Sequence, residues 1–185
     1  MDSPYRSFSE IPRLIGRGAY SVHVGLKFLE KHIEEWSRYP GGLDLDPDFQ
    51  RGHVWSERQQ VAYVEYALRG GLESSSGVLL FNCADWDGRS EEPIQIVDGK
   101  QRLTALLRFL RDEIPAFGRR YSEYEGSINV TGARVEVHVN QLRTREEVLR
   151  WYLELNSGGV AHSDEEIERV RGLLEEEQAA GALRP

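Results

Sequence analysis

Cysteine is nearly missing from this sequence, since Cys83 is the single one among 185 residues. One cysteine excludes an intrachain disulfide framework and a zinc site built from several thiolates. Because Cys83 stands in the stretch Phe81-Asn82-Cys83-Ala84, we expect it to be a small buried residue of the core.

Long apolar runs are missing as well. No stretch approaches the roughly 20 apolar residues that a membrane-spanning helix needs. The N-terminal sequence MDSPYRSFSE lacks the apolar segment of a secretory signal. We therefore expect a cytoplasmic protein with no membrane partner.

Positive charge is in short supply: 23 lysines and arginines stand against 31 acidic residues, which gives a net charge of -8. This balance argues against non-specific binding to long DNA, which depends on a basic surface, but it leaves room for a local basic patch. The length and the hydrophobic content of 39% are those of one globular domain.

The apolar spacing alternates between strand-like and helix-like stretches along the chain. It predicts strands at Tyr20–Val24, Gly77–Asn82, Pro93–Val97 and Arg134–Val139, with helices between and after them. Three capping boxes mark helix starts, at Ser56 with Gln59, Thr144 with Glu147 and Ser163 with Glu166. The pattern indicates an α+β fold with a small mixed sheet flanked by helices. We divide the chain into an irregular arm (1–19), a main domain (20–162) and an acidic C-terminal helix and tail (163–185).

The stretch IVDGKQRLTALLRFL places Asp98-Gly99-Lys100-Gln101-Arg102 between a buried strand and a buried helix. A glycine before the first helical turn lets an anion approach free backbone N–H groups, and Lys100 or Arg102 would add charge-assisted hydrogen bonds. Asp98 would hold a divalent cation, pair with an arginine or orient an attacking group. The alternative is an Asp-Gly turn in which Asp98 caps the helix and both cations are solvated.

A second cluster, PDFQRGHVWS, occupies residues 47–56 just before another helix. Its Gln50-Arg51 pair repeats the Gln-Arg pair of the first motif, so we expect both pairs to converge on one anion. His53 is a candidate general base, and a turn histidine that bonds the backbone is the alternative. In the structural alternative Phe49 and Trp55 anchor the core and Arg51 forms a surface ion pair.

The two motifs and the late Asn156 together resemble the ParB/sulfiredoxin-related domain of the GmrS half of GmrSD restriction enzymes. This family of DGQQR-motif proteins also includes the phage-defence protein SspE. The resemblance extends from about Tyr20 to about Ile167 and implies a ParB/sulfiredoxin-like fold. It also implies nucleotide binding and NTP hydrolysis that drives or gates DNA cleavage, in a bacterial or phage-infected cell.

The resemblance carries over residue by residue. Lys100 departs from the family's usual glutamine, and the added charge should favour phosphate. The implied catalytic residues are Asp98, Arg102 and Gln50, with Asp98 also the candidate ligand of Mg²⁺. The implied nucleotide- and phosphate-binding residues are Gly99, Lys100, Gln101, Arg102, Arg51, His53 and Asn156. For Asn156, which we place in a flexible loop of residues 156–159, a helix cap is the alternative.

Three functions follow in order. The first is Mg²⁺-dependent phosphoryl transfer from an NTP (ATP, GTP, CTP or UTP) to water, DNA or a small molecule. The second is a non-catalytic module that binds a nucleotide or a DNA phosphate and regulates a partner, such as a DNA-acting protein. The third is a nuclease, ranked last because His138 and His162 lack the context of the HNH-type domain that family members carry, and we expect no cutting module here. Tyr121 and Tyr124 are further candidates for stacking on a nucleobase.

Overall fold

Five strands form one mixed sheet in the part of the chain that the structure describes. The computed structural model describes residues 7, 11, 14, 19–50, 54–73, 75–86, 91–157 and 164–182. The strands lie in the order β1-β5-β3-β4-β2. Pairs β1/β5 and β3/β4 are antiparallel, whereas β5/β3 and β4/β2 are parallel. Their bounds are Tyr20–Gly25 (β1), Leu43–Asp44 (β2), Val78–Asn82 (β3), Ile94–Asp98 (β4) and Arg134–Asn140 (β5).

Helices cover both faces of this sheet. Within the described residues they are Leu26–Ser37 (α1), Glu57–Leu68 (α2), Lys100–Leu110 (α3), Arg145–Ser157 (α4) and Asp164–Ala182 (α5). The predicted α+β class is confirmed. None of these helices combines the length and the apolar character needed to cross a membrane.

Two apolar clusters sit on opposite faces of the sheet because side chains alternate along a strand. Ile96 of β4 belongs to the larger cluster with α1, α2 and α3. Val97, the next residue, belongs to the smaller cluster with Phe49, α4 and α5. Both side chains are 0% exposed. Strand β4 is therefore buried on both faces, and Asp98 comes where it leaves the core.

The corner between β4 and α3 depends on Gly99, which has φ 96°. A Cβ atom at this position would lie 2.7 Å from Leu79 Cδ2 and 3.2 Å from Arg102 Nη2. The Leu103 N–H donates to the Gly99 carbonyl over 2.8 Å, which closes the first turn of α3. Both the left-handed backbone and the lack of space require glycine here.

Local sequence signals fare differently. The capping boxes at Ser56 and Thr144 are confirmed by hydrogen bonds in both directions, whereas Ser163 lies outside the described residues. Cys83 is 0% exposed, as predicted, and burial raises its pKa to about 12. The predicted loop at Asn156 is wrong, because α4 continues through Ser157. The division into arm, main domain and tail stays a prediction.

Replacing Gly99 with alanine should lower the free energy of unfolding by about 3 kcal/mol, because backbone strain adds to overlap with buried Leu79. Gly42→Ala is the matched control, since Gly42 has φ 70° and nothing within 4 Å of its added Cβ. That control should lose only about 1 kcal/mol in urea unfolding. Equal losses would show that the close approach of Leu79 and Arg102 is not a constraint.

Candidate functional site

The Asp98 carboxylate folds back over the β4–α3 corner. Its Oδ1 accepts from the Gly99 N–H over 2.7 Å, and its Oδ2 accepts from Arg102 Nη2 over 2.7 Å. The Asp98 side chain is 46% exposed, whereas that of Arg102 is 19% exposed. The acid therefore faces solvent and the guanidinium lies beneath it, one helical turn along.

Arg102 is incompletely satisfied in this position. Its Nη1 lies 3.5 Å from the Ser75 carbonyl, and its buried Nε has no hydrogen-bond partner in the described part of the chain. Nearby Tyr63 donates to the Ser76 carbonyl over 2.7 Å. Burial raises the Tyr63 pKa to about 12, against the opposing charge of Arg102. Since a guanidinium carries five N–H donors, Arg102 has capacity for a further acceptor.

Lys100 lies on the first turn of α3, beside Arg102. Its ammonium donates to Oδ1 of Asp46, which precedes the second motif. The Lys100 side chain is 13% exposed and that of Asp46 is 81% exposed. An incoming anion would thus meet two cations of α3, each already paired with an acid that can swing toward solvent.

The two glutamines bind the two motifs together. Gln50 Nε2 donates to the Val97 carbonyl and lies 3.4 Å from the Ile96 carbonyl, so it bonds the end of β4. Gln101 Oε1 accepts from the N–H groups of Val54 and Trp55 over 3.1 and 3.2 Å. The structure therefore brings the motifs into contact, and both amides serve backbone positioning. The predicted catalytic role of Gln50 stays a prediction.

The remaining predicted residues divide into two groups. Arg51 and His53 lie outside the described residues. Asn156 lies in the last turn of α4 rather than in a loop, and its Nδ2 donates to the Tyr152 carbonyl over 2.6 Å. This bond satisfies its amide within the helix, which explains why α4 does not end there. Phe49 is 1% exposed and packs edge-on against Tyr152, so its predicted anchoring role is confirmed.

Helix α5 grips the segment that carries Gln50, a feature that sequence reasoning missed. Arg169 donates to the carbonyls of Asp48 and Phe49 over 2.6 and 2.9 Å. Arg145 of α4 bonds the Asp48 carboxylate over 2.7 Å and Glu177 of α5 over 3.2 Å. The hydrogen bond from Arg145 is the main cause that lowers the pKa of Asp48. The only sequence signal was an arginine interrupting an acidic helix.

The family model for the N-terminal domain of GmrSD restriction endonucleases matches residues 27–134, more than half of the 185-residue chain. The chain belongs to this family. The match includes both motifs, whereas α4 and α5 lie beyond it. Searches of the curated proteins and of the solved structures found no match.

Membership confirms the predicted GmrSD resemblance and places the chain in a restriction family, which suggests enzymatic activity. The relationship to ParB and sulfiredoxin and the nucleotide-binding role stay predictions. The motifs that carried the resemblance are the segments that the structure joins through Gln50 and Gln101.

Gln50→Glu should lower the free energy of unfolding by about 2 kcal/mol, because a carboxylate facing the carbonyls of β4 has no proton to donate. Gln59→Glu is the control with the same charge change. Gln59 Oε1 only accepts, from Ser56 N at 2.9 Å, and glutamate keeps that bond. Chemical denaturation should therefore separate the two variants, and equal stability would show that the Gln50 amide contributes nothing.

Arg169→Ala should speed hydrogen exchange of the Gln50 N–H, which donates to the Pro47 carbonyl over 2.8 Å. Loss of two bonds to the 48–49 backbone would let this turn open more often. Arg171→Ala is the control, since Arg171 sits on the same helix and pairs only with Glu168 among the described residues. Unchanged exchange in Arg169→Ala would contradict the proposed grip of α5.

Proposed function

We propose that this domain binds a nucleoside triphosphate at the β4–α3 corner and transfers its terminal phosphate to water or another acceptor. One observation supports this most: a left-handed glycine leads a buried strand into a helix whose first turn carries Lys100 and Arg102. Helix N-termini of this kind attract phosphate through the helix dipole and backbone N–H groups.

Binding would proceed by exchange of ion-pair partners. Phosphate oxygens would replace Asp46 on Lys100 and Asp98 on Arg102. Asp46 is 81% exposed and Asp98 is 46% exposed, so each carboxylate can return to water at little cost. The planar guanidinium of Arg102 then offers two parallel N–H groups to the phosphate, a geometry that lysine lacks.

A Mg²⁺ ion fits this site only when it arrives with the nucleotide. No group of three potential metal ligands occurs among the described residues, so a resident metal centre is not supported there. Mg²⁺ commonly takes one or two carboxylates plus substrate phosphates, and Asp98 supplies one partly exposed carboxylate. The ion would supply neutralisation of the phosphate charge.

The chain's own groups would then act on the transfer. A bond forms between the attacking oxygen and the γ-phosphorus, and the bond from that phosphorus to its bridging oxygen breaks, releasing the diphosphate. Asp98, freed from Arg102, would orient the attacking water or hydroxyl and receive its proton. Arg102 and Lys100 would stabilise the negative charge on the transferring and leaving groups.

The test measures phosphate and diphosphate release from each of the four NTPs with Mg²⁺, with and without duplex DNA. Arg102→Ala should lower release at least roughly a hundredfold. Lys100→Gln, which restores the family's usual residue, should weaken binding about tenfold through loss of one charge-assisted bond. Arg111→Ala is the control, because Arg111 pairs with Glu30 at the opposite end of α3. No release and no binding of any NTP would overturn the proposal.

The second candidate is a regulatory module that binds a nucleotide without turnover. The Asp98–Arg102 pair favours it, because an acid held by an arginine is a poor acceptor of protons. Asp98→Asn separates the candidates, since asparagine still accepts from the Gly99 N–H. Turnover should vanish with binding retained if Asp98 acts in chemistry. Unchanged turnover would remove Asp98 from the mechanism, and binding by a wild type that releases nothing would establish the regulatory module.

A further inference from the structure

A cleft of about 400 Å³ opens at the end of α3 that is farthest from the phosphate corner. Its volume lies in the usual range for ligand sites, which is roughly 300–1,000 Å³. The floor is Phe109, which Tyr121 and Tyr124 meet edge-on at centroid distances of 5.7 and 6.3 Å. The lining also includes Val130, which is 90% exposed. The cleft therefore offers aromatic and apolar surface to solvent.

The outer wall is a tight hairpin turn with an unfavourable residue at its tip. Ala116 and Arg119 exchange backbone hydrogen bonds of 2.8 and 3.0 Å. Phe117 and Gly118 between them have φ 47° and 77°, the signs of a type I′ turn. Such turns favour Asn-Gly, yet phenylalanine occupies the first position and remains 53% exposed. Neither turn geometry nor burial explains this ring, which is typical of residues kept for contact with a ligand.

The wall is held in place before any ligand arrives. The Phe117 N–H donates to Glu65 Oε1 over 2.8 Å, which ties the turn to α2. The Tyr124 hydroxyl donates to the Ala116 carbonyl over 2.6 Å, which ties it to the next segment. A preformed aromatic cleft loses little conformational entropy on binding.

Charge at the rim indicates what class of ring would bind. Arg119 is exposed, and its guanidinium has no ion pair or hydrogen bond within the described residues. The same holds for Arg69, which follows the lining residue Leu68. In a chain of net charge -8, two exposed arginines without acidic partners beside an aromatic cleft favour a ligand that joins a ring to phosphate.

One acid in the lining narrows the choice of base. Glu125 is exposed, lines the cleft and has no partner among the described residues. A carboxylate accepts hydrogen bonds from exocyclic amino groups, such as N4 of cytosine, and repels carbonyl edges. Phosphate would therefore lie toward Arg119 and the amino edge of the base toward Glu125.

We infer that this cleft is a second binding site, which takes an unpaired, amino-bearing nucleobase from a single strand of nucleic acid. The Phe117 ring and the Phe109–Tyr124 surface stack on the base, Arg119 neutralises a flanking phosphate and Glu125 selects the amino edge. The site is separate from the phosphate corner, so it does not depend on nucleotide hydrolysis there.

The experiment measures fluorescence anisotropy of labelled oligodeoxycytidylate and oligodeoxythymidylate of about ten nucleotides, at low salt. The wild type should bind the cytidylate strand more tightly. Glu125→Gln should remove most of that preference. Arg119→Ala should weaken binding of both strands and reduce the salt dependence, whereas Arg58→Ala, which removes an exposed arginine near the start of α2, should do neither.

Phe117→Asn gives a test that cannot be explained by misfolding. Asparagine suits a type I′ turn, so this variant should melt at a higher temperature while its affinity for the strand falls roughly tenfold. Phe28→Asn is the control, because Phe28 is 54% exposed on α1. Arg102→Ala should leave strand binding unchanged.

Three results would overturn the inference. They are no binding of either strand by the wild type, equal affinity losses in the Phe117 and Phe28 variants, and competition by free cytidine monophosphate as strong as by the strand. The last result would assign the cleft to a free nucleotide. Since none of these readouts requires NTP turnover, failure of this site and failure of the proposed phosphoryl transfer are distinguishable.

Discussion

A guanidinium that is largely removed from water must have an anion beside it, and the Arg102 side chain is only 19% exposed. This constraint shapes the corner. Asp98 supplies the charge from one helical turn away, and Gly99 must be bare because the guanidinium covers it. Tyr63 stays neutral on the other side, since burial outweighs the effect of the arginine on its pKa. The same residues that suggest a phosphate site are thus also explained by the needs of one buried cation.

Stability and function are therefore hard to separate at this corner, and the amides show why. Gln50 and Gln101 repeat a Gln-Arg pattern that suggested two arms reaching for one anion. In the fold each amide bonds backbone of the opposite motif. A glutamine that fixes the backbone within a few ångströms of Asp98 shapes any ligand site there without touching the ligand. Its substitution would lower activity through geometry.

Local chemistry determined how much the sequence could predict. The capping box at Ser56, the strand–Gly–helix corner and the buried Phe49 were predictable because each depends on neighbouring residues. Contacts between distant segments were not predictable. Arg169 reaches the 48–49 backbone across 120 residues or more, and nothing in its own surroundings identifies those carbonyls. Asn156 failed for a related reason: Asn-Ser-Gly-Gly is typical of loops, yet one amide bond to Tyr152 kept the helix going.

Helix α3 joins the corner to the aromatic cleft and sets the distance between them. Lys100 begins the helix and Phe109 lies nine residues later, so their backbones are about 14 Å apart along its axis. Leu103, Leu106 and Phe109 are each 1% exposed, so α3 is held by the core along its length. Sites that far apart on one rigid element, with no shared partner, bind independently unless the element itself moves. Any coupling between a nucleotide at the corner and a strand in the cleft would therefore have to shift α3, and with it the Arg102 side chain that Asp98 holds in place.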